Sequence, residues 1–198
     1  MDSQATTIQH IKESVEVKEA LLSNPQSTAT IAQIAELCTK AYQEGNKVIW
    51  AGNGGSAADA QHMAGEMVSK FYFDRPALTS IALTTDTSII TAIANDYGYE
   101  HVFSRQLQAN ARRGDVFIGI STSGNSRNLV ESLDTCRELG VTAVALVGTS
   151  PCLMDRWDYV VKIPSTSTPR IQECQTLIGH IICCIVEENL FGEKYHKP

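Results

Sequence analysis

Short apolar segments alternate with helix-like stretches along most of the chain, and this alternation is the feature that most constrains its fold. After Gly45, five such segments are predicted to be strands, namely 47–51, 80–84, 116–120, 142–147 and 159–163. The helix-like stretches that alternate with them are 56–70, 87–95, 101–112, 125–139 and 170–190. Alternating strands and helices favour parallel pairing, and all-apolar strands indicate a sheet covered on both faces. The sequence therefore predicts an α/β fold, a three-layer sandwich with about five parallel strands.

Two further helices are predicted before the first strand, at 4–23 and 27–44, with Pro25 between them. Each carries an apolar stripe at helical spacing, formed by Ile8, Ile11, Val15, Lys18 and Leu22 in the first and by Ile31, Ile34, Ala35, Cys38 and Tyr42 in the second. A sheet that already has its own helices leaves little room for both. We therefore expect residues 1–44 to form a helical hairpin that serves oligomerisation, and residues 45–198 to complete a single domain.

Charge and composition exclude several classes of function. The net charge of −6 argues against a nucleic-acid or anionic-membrane surface, so an anionic ligand has to be held by local dipoles. No run reaches the ~18 apolar residues of a membrane span, and residues 1–9 lack the apolar core of a signal peptide. The six cysteines form no CxxC pair, which favours buried reduced thiols over a zinc ribbon. These features predict a cytoplasmic protein with no nucleic-acid or membrane partner.

Two turns rich in glycine or serine follow predicted strands, where open parallel sheets bind ligands. The turn at 52–56 (GNGGS) lacks the lysine of a P-loop, so a simple tight turn is the alternative interpretation. The turn at 121–126 (STSGNS) has four hydroxyls in six residues beside a helix N-terminus, which suits a phosphate group. Asn125 or Ser126 alternatively serves only as an N-cap.

Two pairs of polar residues are spaced so that each pair shares a helix face. His62 and Glu66 lie four residues apart, and Gln172 and His180 lie eight apart. Each residue alone also has a structural interpretation. A lone glutamate on a helix is usually solvated, and a buried histidine is more often a structural residue that has found a hydrogen-bond partner. Together with a phosphate turn, the two pairs indicate proton chemistry on a sugar phosphate.

Four segments carry a resemblance over nearly the whole chain: GNGGSAADAQHMAGE at 52–66, AIAND at 92–96, GISTSGNS at 119–126 and RIQE at 170–173. They resemble the sugar isomerase (SIS) domain family, and within it the enzymes that convert sedoheptulose 7-phosphate to D-glycero-D-manno-heptose 7-phosphate through an enediol. The resemblance implies a Rossmann-like fold, a homotetramer and a role in bacterial heptose and lipopolysaccharide precursor synthesis.

The same resemblance implies a role for each matching residue. Glu66 and His180 would be the acid–base pair. One zinc ion per subunit would be bound by His62, Glu66, Gln172 and His180. The remaining roles are contacts to substrate, with the phosphate held by Ser121, Thr122, Ser123 and Ser126, and the sugar contacted by Asn53, Gly54, Gly55, Glu66, Asn95, Asp96 and Gln172.

A non-enzymatic relative provides the main alternative. The DnaA initiator-associating protein, an adapter with the same fold, resembles this chain in Thr91–Asp96 and Gly124–Arg127. The adapter lacks an acidic residue and a histidine at the positions that Glu66 and His180 occupy here. The sequence therefore favours the isomerase over the adapter, and over a third interpretation as a sugar-phosphate sensor.

Overall fold

The protein is described by a computed structural model that covers residues 2–195, without the side chain of Tyr195. Its centre is one five-stranded sheet in the order β2-β1-β3-β4-β5, with every neighbouring pair parallel. The strands are β1 (Val48–Gly52), β2 (Ser80–Ala82), β3 (Val116–Ser121), β4 (Thr142–Gly148) and β5 (Tyr159–Ile163). The predicted number and direction of strands are confirmed.

Seven α-helices surround the sheet in the described part of the chain. They are α1 (Ser3–Leu22), α2 (Pro25–Gln43), α3 (Gly55–Val68), α4 (Thr87–Tyr97), α5 (Val102–Asn110), α6 (Arg127–Leu139) and α7 (Thr168–Tyr195). Their ends follow local chemistry. Asn24 caps α2, with Pro25 in the first turn, where no backbone donor is needed. Gly140 ends α6 in the left-handed conformation, with φ of 69°.

The sheet is covered on both faces, which gives the predicted three layers. On one face, Trp50 and Ile118 pack with residues of α2, α3 and α7. On the other face, Ile49 and Phe117 pack with residues of α5 and α6. All residues of β1 and β3 are buried, because successive side chains of a strand point to opposite faces and both faces are covered.

The two N-terminal helices have different surroundings. Four residues of the α2 stripe, from Ile31 to Cys38, are buried against α7 and β5. The expectation that the sheet has little room for both helices is therefore wrong for α2, because α3 and α7 leave space beside β5. The α1 stripe remains exposed, with Ile8 at 47% and Ile11 at 60%. The role of α1 in oligomerisation stays a prediction.

Among the described residues, α7 is the one helix long and apolar enough to cross a membrane by length and composition. The fold buries 44% of the stretch that meets this test. Ile178 and Ile182 belong to the core that α7 forms with α2, α3 and the sheet.

Candidate functional site

The strand order places a crevice between the carboxyl ends of β1 and β3. From β1 the chain enters α3 on one face of the sheet, whereas from β3 it enters α6 on the other face. The two connections diverge at this point, which is where parallel α/β sheets bind ligands. The predicted turns at 52–56 and 121–126 flank this crevice, as the sequence indicated.

A cavity of about 260 Å³ lies beside the second turn. Its walls come from the turns after β3, β4 and β5 and from the start of α7. Its lining is Thr122, Ser123, Asn125, Gly148, Thr149, Ser150, Ser165, Thr166, Thr168 and Ile171. No charged side chain belongs to this lining. Hydroxyls and the positive end of the α7 dipole are the groups available to hold an anion.

Several hydroxyls of this cavity were missed by the sequence interpretation. Thr149 and Ser150 follow β4, and Ser165 and Thr166 follow β5. Because parallel strands end at one edge of the sheet, their position after a strand was the signal that should have found them.

The turn at 121–126 uses three of its own hydroxyls internally. The Ser121 Oγ atom accepts a hydrogen bond from the Gly124 N–H at 3.1 Å and lies 3.2 Å from the Ser126 Oγ atom. Gly124 has φ of +65°, and a Cβ at this position would lie 2.2 Å from the Cys152 Sγ atom. Ser126 occupies the N-cap of α6 but makes no capping hydrogen bond. The Ser123 Oγ atom also accepts a hydrogen bond from the Asn125 N–H, at 3.2 Å. Ser121, Ser123 and Ser126 thus fix the turn, and Thr122 and Ser123 also line the cavity.

Asn53 joins the first turn to the start of α6 and to Tyr99. Its amide forms a reciprocal pair with the Asn128 amide, with N···O distances of 3.0 and 2.9 Å. The Tyr99 hydroxyl also donates to the Asn53 Oδ1 atom, at 3.0 Å. The sequence interpretation connected neither partner, Asn128 or Tyr99, with the site. A sugar contact by Asn53 would have to use its remaining amide N–H group.

The glycines of the first turn are required by backbone conformation and by close packing. Gly54 has φ of +57°, a region that side chains disfavour. A Cβ on Gly55 would lie 2.5 Å from the Nε2 atom of Gln172. The Gln172 amide therefore lies directly against the start of α3. A ligand role for 52–56 and its alternative, a simple tight turn, both stay predictions.

Three predicted residues meet where α3 and α7 lie side by side. The His62 Nε2 atom lies 3.0 Å from the Glu66 Oε1 atom and 3.4 Å from the His180 Nε2 atom. The two imidazole rings are nearly perpendicular, at 83°. One ligand atom from each of the three residues falls within 4.8 Å of the others.

The contacts between α3 and α7 explain this meeting. The Thr176 hydroxyl donates to the Asp59 carboxylate at 2.8 Å, one turn before the histidine pair. At the level of the pair, a Cβ on Gly179 would lie 2.3 Å from the Met63 Sδ atom. Contacts thus advance along both helices in the same direction, so α3 and α7 run parallel and approach closely at Gly179.

The three clustered residues suit a divalent metal ion. A tetrahedral zinc ion with bonds of about 2.0–2.1 Å requires ligand atoms roughly 3.3 Å apart. The 3.4 Å separation of the His62 and His180 Nε2 atoms fits this requirement. Gln172 lies about two helical turns before His180, and its place as a fourth ligand stays a prediction.

An apolar wall adjoins His180. The Phe71 ring centroid lies 5.5 Å from that of His180, and both residues line a pocket of about 330 Å³. Glu66 and His180 are half-buried, whereas His62 is exposed on one side. His180 therefore borders a pocket with a mainly apolar lining, whereas His62 faces solvent.

Asn95 and Asp96 are not brought together with the two turns. They lie on exposed positions of α4, where the Asn95 amide donates to the Asp96 carboxylate at 2.8 Å. No residue of α4 is classed as buried, although the helix is largely apolar. Their predicted sugar contacts stay predictions.

Comparison with known proteins gives consistent matches. Residues 9–148 match the model of the SIS domain family. The chain is 60% identical over 187 residues to a phosphoheptose isomerase of Aneurinibacillus thermoaerophilus. The alignment covers 94% of each protein.

Two solved structures agree with this match. A phosphoheptose isomerase from Francisella tularensis superposes with a TM-score of 0.89 at 32% identity, covering 95% of this chain and 100% of the other. One from Neisseria gonorrhoeae superposes with a TM-score of 0.87 at 39% identity, covering 93% and 98%.

Proposed function

This chain belongs to the SIS domain family, and we propose that it is a phosphoheptose isomerase that converts sedoheptulose 7-phosphate to D-glycero-D-manno-heptose 7-phosphate. The observation that carries the proposal is that His62, Glu66 and His180 meet where α3 packs against α7. The first turn of α7 also lines the hydroxyl-rich cavity. The named relatives supply the substrate class, since each is a phosphoheptose isomerase.

The cavity is proposed to hold the phosphate. Its donors are neutral hydroxyls and backbone N–H groups beside the start of a 28-residue helix. Such a site binds a phosphate through hydrogen bonds and the helix dipole, without a basic side chain of its own lining. On α7, Ile171 at the cavity and His180 at the cluster are about 13 Å apart along the helix axis at 1.5 Å per residue. This separation suits an extended sugar phosphate.

Glu66 and His180 are proposed as the acid–base pair. Isomerisation moves a proton between C1 and C2 of the sugar through a cis-enediol, which needs a base near those carbons and a donor for the carbonyl oxygen. A carboxylate and an imidazole that are held together provide both functions. Phe71, packed against the His180 ring, makes the surroundings of this histidine more apolar.

A zinc ion is proposed at the same cluster, with His62, Glu66 and His180 as ligands and Gln172 as the fourth. When bound, it would polarise the substrate carbonyl and offset the negative charge that develops on its oxygen. The geometric support is the separation of the two histidine Nε2 atoms, 3.4 Å. His62 serves here only to bind and to orient its neighbours.

We further propose that the protein is a homotetramer in the cytoplasm, with no nucleic-acid or membrane partner. The exposed apolar stripe of α1 supports self-association, because Ile11 and Leu22 are 60% and 75% exposed in the single chain. The net charge of −6 is the reason to expect no nucleic-acid partner.

The direct test is incubation of the purified, zinc-loaded protein with sedoheptulose 7-phosphate, with the product identified by NMR. We expect formation of the aldose phosphate, with solvent deuterium incorporated at C2 when the reaction is run in deuterium oxide. Absence of conversion together with specific retention of DnaA would contradict the isomerase and support the adapter.

A further inference from the structure

A buried carboxylate lies two helical turns beyond His180 on α7. Glu187 is 0% exposed, and its carboxylate accepts hydrogen bonds from three consecutive backbone N–H groups and from a guanidinium. The donors are Phe71, Tyr72, Phe73 and the Nε atom of Arg75. The Glu187 side chain of α7 thus binds residues 71–75, which follow α3, through four hydrogen bonds.

Arg75 reaches in the other direction, to the end of α3. Its side chain is 1% exposed, and its NH2 group donates to the Glu66 carbonyl at 3.0 Å. Its NH1 group donates to the carbonyls of Met67 and Pro76, at 2.9 and 3.1 Å. Carbonyls in the last turn of a helix lack intrahelical donors, so this guanidinium caps α3 at the residue that carries the catalytic carboxylate.

Both members of the acid–base pair are therefore in contact with this network. Glu66 is held through its backbone carbonyl. His180 packs against the ring of Phe71. The backbone N–H of Phe71 donates a hydrogen bond to the Glu187 carboxylate at 2.8 Å. A buried ion pair contributes little net stability compared with apolar packing, because desolvation offsets the attraction. The planar guanidinium and the carboxylate each make several hydrogen bonds, so the pair is better suited to fixing the positions of the groups that it contacts.

We propose that the Arg75–Glu187 ion pair is a positioning element that sets Glu66 and Phe71 against His180. Neither residue lines the phosphate cavity or belongs to the His62–Glu66–His180 cluster. The pair acts on the geometry of the acid–base cluster. The phosphate cavity shares only the first turn of α7, up to Ile171, which lies about four helical turns before Glu187, so we expect the cavity to be unaffected. This inference rests on the proposed function for its kinetic consequence, but its structural consequence is measurable without turnover.

A second buried ion pair provides a matched control. Asp115 is also 0% exposed and accepts from the Lys47 ammonium at 2.6 Å and from the backbone N–H groups of Lys47 and Arg112, at 3.0 and 2.8 Å. Asp115 lies just before β3, at the amino ends of the strands, whereas the crevice lies at their carboxyl ends. Asp115→Asn therefore perturbs a similar network far from the cluster.

The experiment compares Glu187→Gln with Asp115→Asn in the full-length, zinc-loaded protein. We expect both to lower thermal stability. Only Glu187→Gln is expected to lower kcat, by about 10-fold or more, and to weaken zinc binding by a similar factor, the scale of losing groups that orient metal ligands. The KM for sedoheptulose 7-phosphate should change less than about 3-fold in both, because the phosphate cavity is intact.

A second variant and a spectroscopic measurement keep the inference open to refutation. If Glu187→Gln does not fold, Arg75→Lys replaces it, since lysine keeps the charge and loses the planar donors. The imidazole NMR resonances of His62 and His180 should shift in the Glu187 or Arg75 variant and remain unchanged in Asp115→Asn. Equal losses of kcat in the site and control variants, at matched folded fraction, would overturn the positioning role.

The two proposals fail in different ways. A wild-type protein that does not convert the heptose phosphate contradicts the proposed function alone. In that case zinc affinity and the imidazole resonances still decide the positioning role, and their insensitivity to Glu187→Gln and Arg75→Lys would refute it.

Discussion

The Nε2 atoms of His62 and His180 lie 3.4 Å apart although the residues are 118 positions apart in the sequence. Two ring nitrogens at this separation do not both carry protons comfortably, since each would then point a donor at the other. One N–H···N hydrogen bond between the rings satisfies the pair, and so does a single cation toward which both nitrogens act as acceptors. The nearby carboxylate of Glu66, 3.0 Å from His62, supplies negative charge to the same place.

Loss of either residue of the proposed acid–base pair is expected to abolish most turnover. Glu66→Gln and His180→Gln should each lower kcat by at least ~10²-fold, the scale of losing general acid–base catalysis. Thermal stability should change little, because both replacements roughly preserve volume and both sites are half-buried. Steady-state kinetics and thermal melts check the two halves of this prediction. Near wild-type turnover in Glu66→Gln would remove this residue from the mechanism.

Metal content provides an independent prediction. Purified protein should contain about one zinc ion per chain by elemental analysis, and His62→Ala should lose it because a neutral imidazole is a strong zinc ligand. His10→Ala is the control, since His10 lies exposed on α1 and away from the cluster. Protein that keeps full activity after thorough chelation would show that zinc takes no part in the reaction.

The sheet was predictable because its signals are local. Each strand is a short apolar segment bounded by turn residues, so β3 was predicted at 116–120 and found at Val116–Ser121. The turn at 121–126 was likewise recognisable from its composition. The spacing of His62 and Glu66 predicted a shared face, which their 3.0 Å contact confirms.

The remainder depends on contacts between distant segments. Spacing cannot show that α7 returns beside α3, and this return brings His180 to His62. Glu187 stands next to Glu188 in a polar stretch, where a solvated carboxylate is the natural expectation. Its burial depends on three backbone N–H groups more than 110 residues earlier, which periodicity does not reveal.

The close approach of α3 and α7 should be sensitive to one added methyl group. Gly179→Ala would place a Cβ 2.3 Å from the Met63 Sδ atom, and Met63 is itself buried. We expect the unfolding free energy to fall by about 1–3 kcal/mol from overpacking, with weaker zinc binding because the two histidines are forced apart. Urea unfolding and zinc titration measure these effects.

Gly65→Ala is the matched control for this helix pair. Gly65 lies on α3 beside Glu66, and a Cβ there would meet nothing within 4 Å. Alanine should therefore stabilise α3 by up to about 1 kcal/mol through helix propensity and leave zinc binding unchanged. If both alanine variants bind zinc like the wild type, close contact at Gly179 is not needed for the metal site.

The pH dependence of stability should reveal the buried carboxylate of α7. Burial by itself would raise the pKa of Glu187, but hydrogen bonds from the backbone N–H groups of Phe71 and Tyr72 and from the Arg75 side chain outweigh it, so the pKa lies below its ordinary value of 4.5. A carboxyl group with a lowered pKa in the folded state stabilises the fold above its unfolded-state pKa. That contribution is lost as the pH falls through the folded-state value.

The difference in unfolding free energy between wild type and Glu187→Gln isolates this group, because all other carboxylates are common to both proteins. We expect the difference to be constant from about pH 6 to 7 and to shrink progressively below about pH 4.5, as wild-type Glu187 takes up a proton on unfolding. Urea unfolding of both proteins across this range measures it. A difference that stays constant, or grows as the pH falls, would mean that the folded protein does not favour the charged form of Glu187.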